Sequence, residues 1–177
     1  MTSSGAAPLT PASSAATFAV GPPGPEDRAR WRELYRGYAD FYQEPVTDEQ
    51  LDLVWSWIMD PNHDVKALLV RDSGGTPVGL AHYRPYFRPL AASVAGHLDD
   101  LFVEPGARGT GAVDALLDGL RSIARQRGWS KIRWITADDN HRARSKYDQV
   151  AERTMWVIYD MPVSPDDSHA DGTTAGG

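Results

Sequence analysis

Cysteine is absent from the sequence, and this absence excludes several chemistries at once. Without a thiol, the chain forms no disulfide, binds no zinc through thiolates and has no cysteine nucleophile. The absence also agrees with a reducing compartment, so we expect a cytoplasmic location.

Basic clusters and long apolar runs are missing too. The formal net charge is -6 and no block of Lys or Arg stands out, so we expect no nucleic-acid partner. No segment reaches the roughly 18 uninterrupted apolar residues of a membrane-spanning helix, and the first sixteen residues lack the pattern of a secretory signal. The motifs G-x-S-x-G and H-E-x-x-H do not occur and the five His residues do not cluster, so we expect neither a hydrolase nor a metal site.

The length and composition of the chain fit a single domain. The chain has 177 residues, of which 41% are hydrophobic, enough for one core. Residues 1–16 and 164–177 are rich in small polar residues, so we expect disorder there and a single domain over residues 17–163. The hydrophobic periods predict a strand, two helices, three strands, a helix, a strand, a helix and a last strand, "TMWVIYDM". This order predicts an α+β fold with helices packed on a mostly antiparallel sheet.

Two local signals fix parts of that prediction. Thr47 precedes the second helix and Gln50 follows three residues later, which is the spacing of a capping box. The strand-like runs "VKALLVRD" and "PVGLAHYR" are joined by "SGGT", which predicts a hairpin with Gly at positive φ. The segment "PYFRPLAAS" reads as a loop after that hairpin.

The stretch "LFVEPGARGTGAVDALLDGL" leads from a strand through closely spaced glycines into a helix. Backbone N–H groups and the positive end of the helix dipole meet there, and Gly109 and Gly111 let the backbone approach an anion closely. Arg108 adds a charged donor. The plainer interpretation is an ordinary turn with a solvated Arg.

Neighbouring motifs resemble those of the GCN5-related N-acetyltransferase family. They are "HLDDLFVEPGARGTG", the W-x-T of residues 134–136, and "DDNHRARSKYD". The resemblance spans residues 65–161 and is strongest to the branch acting on small amines and polyamines. It implies a mixed, mostly antiparallel sheet of six to seven strands flanked by about four helices. It also implies acetyl-coenzyme A as acetyl donor, a small-molecule amine as acceptor, and a homodimer in which the last strands pair.

The resemblance further implies where acetyl-coenzyme A binds. The loop from Arg108 wraps the pyrophosphate, although Val113 stands where the family has Gly or Ala. The pantetheine arm lies at the end of the "DLFV" strand, which should splay from "KIRWIT". The predicted cofactor-binding residues are Leu101, Phe102, Val103, Arg108, Gly109, Thr110, Gly111, Ala112, Val113, Asn140 and Lys146.

Catalysis requires a neutral amine, whereas an alkylamine has a pKa of about 10.4, so a base is useful near pH 7. Because side chains alternate along a strand, Asp99 and Asp100 share a face only if the strand bulges. By family likeness we expect Asp99 to act as the base, through water, and Asp100 to attract the ammonium group. Tyr147 is expected to protonate the leaving thiolate. The predicted substrate-facing residues are Phe41, Tyr42, His97, Asp99 and Asp100, with Glu44 as a further acidic candidate.

Each of these residues also has a plainer interpretation. Either aspartate could be solvated or paired with an Arg, and Tyr147 and the aromatic residues of the first helix could belong to the core. Two other functions stay open at this stage: a protein acetyltransferase acting on Lys or N-terminal amines, and a non-catalytic domain that binds acetyl-coenzyme A.

Overall fold

The computed structural model describes residues 17–161 and residue 163. These residues belong to two units, the first ending at Ile135 and the second beginning at Thr136. The segments expected to be disordered, 1–16 and 164–177, lie outside the described residues.

The first unit is built on a five-stranded sheet. The strands lie in chain order across the sheet, β1 to β4 antiparallel to their neighbours and β5 parallel to β4. They are β1 (Ala19–Gly21), β2 (Lys66–Arg71), β3 (Pro77–Arg88), β4 (Ser93–Val103) and β5 (Ile132–Arg133). The predicted α+β class with a mostly antiparallel sheet is confirmed.

The described residues contain four α-helices. They are α1 (Arg28–Tyr42), α2 (Asp48–Met59) and α3 (Ala112–Gln126) in the first unit, and α4 (His141–Val150) in the second. The predicted capping box is confirmed. Thr47 Oγ1 accepts from the Gln50 amide at 3.2 Å, and Gln50 Oε1 accepts from the Thr47 amide at 2.8 Å.

The helices of the first unit cover both faces of the sheet. On one face, α1 and α2 enclose a core with strand residues of β2, β3 and β4, in which Trp31, Leu51 and Leu80 are fully buried. The other face packs on α3, whose Leu116 and Leu120 are likewise buried. Gly37 lets α1 lie close to β4, because a Cβ at this position would stand 2.9 Å from the Phe102 ring.

Three sequence predictions need correction. β3 continues to Arg88 and pairs with the start of β4, so most of the predicted loop "PYFRPLAAS" is strand. "KIRWIT" contributes only the two residues of β5. "TMWVIYDM" has no regular structure, so the sheet of the described residues has five strands rather than six or seven. A β-prone segment becomes a strand only where a neighbouring backbone completes its hydrogen bonds, and residues 154–161 pair with none of the described strands.

No helix within the described residues is both long enough and apolar enough to cross a membrane.

Candidate active site

A bulge in β4 brings the two aspartates onto one face of the sheet. Asp100 lies opposite His82 on β3, and Leu98 lies opposite Tyr83, so Asp99 is an extra residue in the ladder. The contacts agree with this geometry: Asp100 bonds His82, whereas Asp99 bonds Arg84, two residues further along β3. The condition for a shared face is therefore met, because a bulge resets the alternation of side chains.

Asp100 lies in an aromatic setting beneath α1, with its side chain 18% exposed. Its Oδ2 accepts hydrogen bonds from His82 Nδ1 at 2.8 Å and from the Tyr35 hydroxyl at 3.2 Å, and Tyr38 donates another to the same carboxylate. Burial alone raises the pKa of Asp100, but the donors, led by His82, outweigh it and hold the pKa below 3.8. Asp100 is thus a carboxylate at neutral pH.

The pKa values of Tyr35 and Tyr38 shift upward, opposite to that of Asp100. Burial, reinforced by the nearby charge of Asp100, raises the pKa of Tyr35 and of Tyr38 well above that of a free phenol. Both hydroxyls therefore keep their protons at any working pH and remain donors to Asp100.

Asp99 lies in a more polar setting and is 29% exposed. Its Oδ1 accepts from Arg84 Nε at 3.1 Å and from His97 Nδ1 at 3.0 Å. Its Oδ2 is buried and has no hydrogen-bond partner among the described residues. An acceptor atom of this kind is expected to take a water or a substrate group.

A cavity of about 380 Å³ opens beside this face, between the end of α1 and the start of α2. Tyr35 and Tyr38 form part of its wall, so the phenols that bond Asp100 also face the cavity. Glu44 is the charged residue of the lining. The complete lining is Tyr35, Tyr38, Ala39, Tyr42, Glu44, Pro45, Val46 and Gln50.

The cavity agrees only in part with the predicted substrate-facing residues. Tyr42 and Glu44 line it, whereas Phe41, His97, Asp99 and Asp100 are not among its lining residues. Asp100 contacts the lining residue Tyr35. The Phe41 ring packs edge-on against Tyr42 and lies 5.7 Å from the Arg108 guanidinium. The spacing of Tyr35 and Tyr38 along the sequence predicts a helix but assigns neither residue to the site. The one sequence signal for such a role is the density of aromatic residues at the end of α1.

The glycine loop has the conformation that an anion cradle needs. Gly109 and Gly111 have φ of 82° and 102°, which residues with a Cβ rarely adopt, and α3 begins directly after them. The amides of a first helical turn have no intrahelical acceptor, and the dipole there is positive. Arg108 Nε donates to the Val103 carbonyl at 3.0 Å, which ties this loop to the end of β4.

The end of β4 has one open edge. Pairing between β4 and β5 comprises Gly96 with Ile132 and His97 with Arg133, and no described strand continues it along Leu101 to Val103. This edge agrees with the splay expected from the sequence, where an extended ligand can add its own hydrogen bonds to the strand.

The remaining predicted residues lie on the second unit. Asn140 caps α4, its Oδ1 accepting from the Ala143 amide at 3.2 Å. Tyr147 is half-buried two helical turns further on, and Lys146 beside it is also half-buried. Their roles toward coenzyme A stay predictions.

Comparison with known proteins identifies the family. The model of the acetyltransferase (GNAT) family matches residues 31–151. The chain therefore belongs to this family, and the enzyme class is that of the acyltransferases.

Individual relatives fit this class. The chain is 28% identical over 136 residues to the D-amino-acid N-acetyltransferase HPA3 of Saccharomyces cerevisiae, covering 76% of this chain and 84% of the relative. It is 30% identical over 139 residues to the uncharacterized N-acetyltransferase YhfO of Bacillus subtilis, covering 77% of this chain and 92% of that relative.

Solved structures share the fold. A ribosomal-protein-alanine N-acetyltransferase from Brucella melitensis biovar Abortus 2308 superposes with a TM-score of 0.65 at 25% identity, covering 83% of this chain and all of that one. The aminoglycoside N-acetyltransferase AAC(6')-Iy, in complex with CoA, superposes with a TM-score of 0.72 at 16% identity. The match covers 87% of this chain and 99% of that one. At this identity the second likeness shows the fold alone.

Proposed function

We propose that the protein transfers the acetyl group of acetyl-coenzyme A directly to the primary amine of a small cationic molecule. The observation that carries the proposal is the cavity between α1 and α2, whose two tyrosines bond the carboxylate of Asp100. A volume of about 380 Å³ suits a small molecule. A phenol-lined wall beside a fixed negative charge favours a cation. The family and the named activity of HPA3 support an amine acceptor.

Acetyl-coenzyme A supplies an activated thioester, and the residues of this chain fit its polar and extended parts. The amides around Gly109 and Gly111 at the start of α3 suit the pyrophosphate. The open edge of β4 from Leu101 to Val103 suits the pantetheine arm. Asn140 and Lys146 are proposed to contribute from α4.

We assign different roles to the two aspartates. Asp100 holds the incoming ammonium group by charge, because its low pKa keeps it ionised. Asp99 accepts the amine proton through water, because its Oδ2 has no partner among the described residues. His97, bonded to Oδ1, orients Asp99, and Tyr147 donates the proton that the leaving thiolate needs.

The first experiment measures binding of acetyl-coenzyme A by calorimetry. Wild type is expected to show saturable binding. Arg108→Ala should weaken it roughly tenfold by loss of a charged donor. Gly111→Trp should abolish it because a side chain is strained at the positive φ of this position. An absence of wild-type binding would contradict the proposal and leave a fold relative with another role.

The second experiment measures thiol release with a panel of diamines, aralkylamines, amino acids and a Lys-containing peptide. Turnover is expected with a small amine, reduced roughly a hundredfold in Tyr147→Phe. His97→Gln keeps a group that donates to Asp99 and should retain more activity than Asp99→Asn. Turnover with the peptide alone would favour the protein acetyltransferase instead.

We also propose that two copies of the chain associate through residues 154–161. This segment is apolar and exposed, with Trp156 at 81% and Tyr159 at 89%. A β-prone segment that pairs with no strand of the described residues is suited to pair with another chain. Light scattering after gel filtration should give twice the mass of the chain, and Trp156→Asp with Ile158→Asp should give the single mass. A monomeric wild type would contradict this proposal.

A further inference from the structure

His82 is a polar residue in the middle of the aromatic core. Its side chain is 2% exposed and lies on β3 directly opposite Asp100. The Tyr35 ring meets the imidazole edge-on with centroids 4.7 Å apart, and the Trp31 ring lies 5.8 Å away. Such a residue needs hydrogen-bond partners for both ring nitrogens.

Both nitrogens have a partner, and together these partners define the protonation state. Trp31 Nε1 lies 2.9 Å from His82 Nε2, and an indole N–H can only donate, so Nε2 must carry the lone pair. On the other side, Asp100 Oδ2 lies 2.8 Å from Nδ1 and can only accept as a carboxylate, so Nδ1 must carry the proton. The geometry corresponds to a neutral imidazole protonated on Nδ1.

We propose that Trp31 and His82 are positioning residues for the acceptor site: Trp31 holds His82 in this neutral form, and the His82 N–H anchors Asp100 beneath Tyr35 and Tyr38. The consequence concerns net charge. A neutral imidazole leaves one full negative charge under the tyrosines, whereas an imidazolium would cancel it. Trp31, which is fully buried, prevents that cancellation by occupying the lone pair of Nε2.

The other groups around His82 do not compete for this role. Its titratable neighbours are Asp100 on β4 and Tyr35 on α1, with Tyr38 and Asp99 one contact further away. β2 presents Ala67 opposite His82. The nearby Trp55 packs against Trp31 with ring centroids 5.1 Å apart and provides a matched control for loss of an indole.

The first test observes His82 directly and needs no enzymatic activity. Long-range ¹H–¹⁵N spectra of the full chain, labelled at histidine, distinguish the two neutral tautomers and the imidazolium, and His82→Asn identifies the His82 signals among the five histidines. Wild type is expected to show the neutral Nδ1–H form at pH 7, as the two hydrogen-bond partners require. An Nε2–H tautomer or an imidazolium at pH 7 would overturn the proposal.

Trp31→Phe tests whether the hydrogen bond from the Trp31 indole fixes the tautomer of His82. This variant keeps an aromatic ring but frees Nε2, so the His82 signals should depart from those of the Nδ1–H form. Trp55→Phe should leave the His82 spectrum as in wild type. If Trp31→Phe and wild type give the same His82 signals over the whole pH range, Trp31 does not control the charge.

The second test rests on the proposed function and measures kinetics with the acceptor amine. His82→Leu removes the donor to Asp100 and should raise the acceptor KM roughly tenfold, with kcat and the KM of acetyl-coenzyme A little changed. His82→Asn keeps an N–H near the position of Nδ1 and should restore the acceptor KM. Equal acceptor KM values in His82→Leu and wild type would refute the positioning role. If no amine is acetylated, the spectra still decide the tautomer.

Discussion

Asp99 and Asp100 are consecutive residues on one face of β4, yet their surroundings differ in kind. Asp100 is enclosed by rings and receives hydrogen bonds from one imidazole and two phenols. Asp99 is more exposed, shares one oxygen between Arg84 and His97, and has no partner for the other oxygen among the described residues. The bulge that places both carboxylates on one face also gives them different neighbours.

Burial alone therefore does not identify a catalytic base. Burial raises the pKa of Asp100, but three donors reverse that effect and hold it as an anion. A carboxylate held by several donors is suited to fixing charge, whereas one with a buried oxygen that has no partner among the described residues can still receive a proton. The two neighbouring side chains can therefore divide attraction and proton transfer between them.

The largest effect is expected for Asp99→Asn. An amide cannot accept the proton, so kcat should fall by roughly 10²–10³ at pH 7 and recover as higher pH supplies neutral amine. Thiol release measured from pH 6 to 9.5 checks this, with Asp118→Asn on the exposed surface of α3 as control. A pH profile parallel to wild type would assign the base elsewhere.

Asp100→Asn should lower the stability of the folded protein. Because the folded pKa of Asp100 is lowered, the charge stabilises the fold above the unfolded pKa, about 3.9, and this contribution disappears as the pH falls through the folded pKa. At pH 7 the free energy of unfolding should drop by about 2 kcal/mol through loss of charged hydrogen bonds. Urea unfolding at pH 7 and near pH 3 measures the difference, which should be smaller at the lower pH.

Asp27→Asn is the matched control for that experiment. Hydrogen bonds from Arg71 lower the pKa of Asp27, whose side chain is 9% exposed and lies at the start of α1. Like Asp100→Asn, this variant should be less stable than wild type at pH 7 and by a smaller margin near pH 3. It should keep the wild-type acceptor KM, whereas Asp100→Asn should raise that KM. An equal acceptor KM in both variants would show that Asp100 does not contribute to binding of the acceptor.

The sequence predicted what depends on local chemistry. The capping box at Thr47 and the glycines of the loop before α3 are properties of a few consecutive residues, and both were found. The bulge at Asp99 was recognised only as a condition, because nothing in "HLDDLFV" indicates where the ladder with β3 shifts. The charge on Asp100 depends on His82 and Tyr35, which are distant in sequence, and so was beyond local patterns.

The errors have the same origin. Residues 154–161 have strong β propensity, but propensity does not supply a partner strand. Tyr35 and Tyr38 follow the helical period of α1, which predicts that they face the core but not that their hydroxyls reach Asp100. Pairing and side-chain contacts between distant segments decide these features.

A moderate effect is expected for Tyr38→Phe. It removes one donor from Asp100 and leaves the cavity wall aromatic, so the acceptor KM should rise about threefold while kcat changes less. Tyr42→Phe provides the control, because Tyr42 lines the same cavity and the Asp100 carboxylate takes its tyrosine hydrogen bonds from Tyr35 and Tyr38. Steady-state kinetics with the acceptor varied measures both. A larger loss in Tyr42→Phe than in Tyr38→Phe would show that the hydroxyl acts on the substrate and not through Asp100.

The smallest effect is expected for Arg84→Gln, which replaces one of the two donors to Asp99. Arg84 is 41% exposed, and an ion pair in such a position contributes about 0–1 kcal/mol because water screens it. Gln keeps a donor for Asp99 Oδ1, and His97 still bonds the same oxygen, so kcat should change by about twofold or less. Arg84→Ala in the His97→Gln background would show whether the two donors act together. A tenfold loss in Arg84→Gln alone would mean that the guanidinium charge, and not the geometry of the hydrogen bond, sets the reactivity of Asp99.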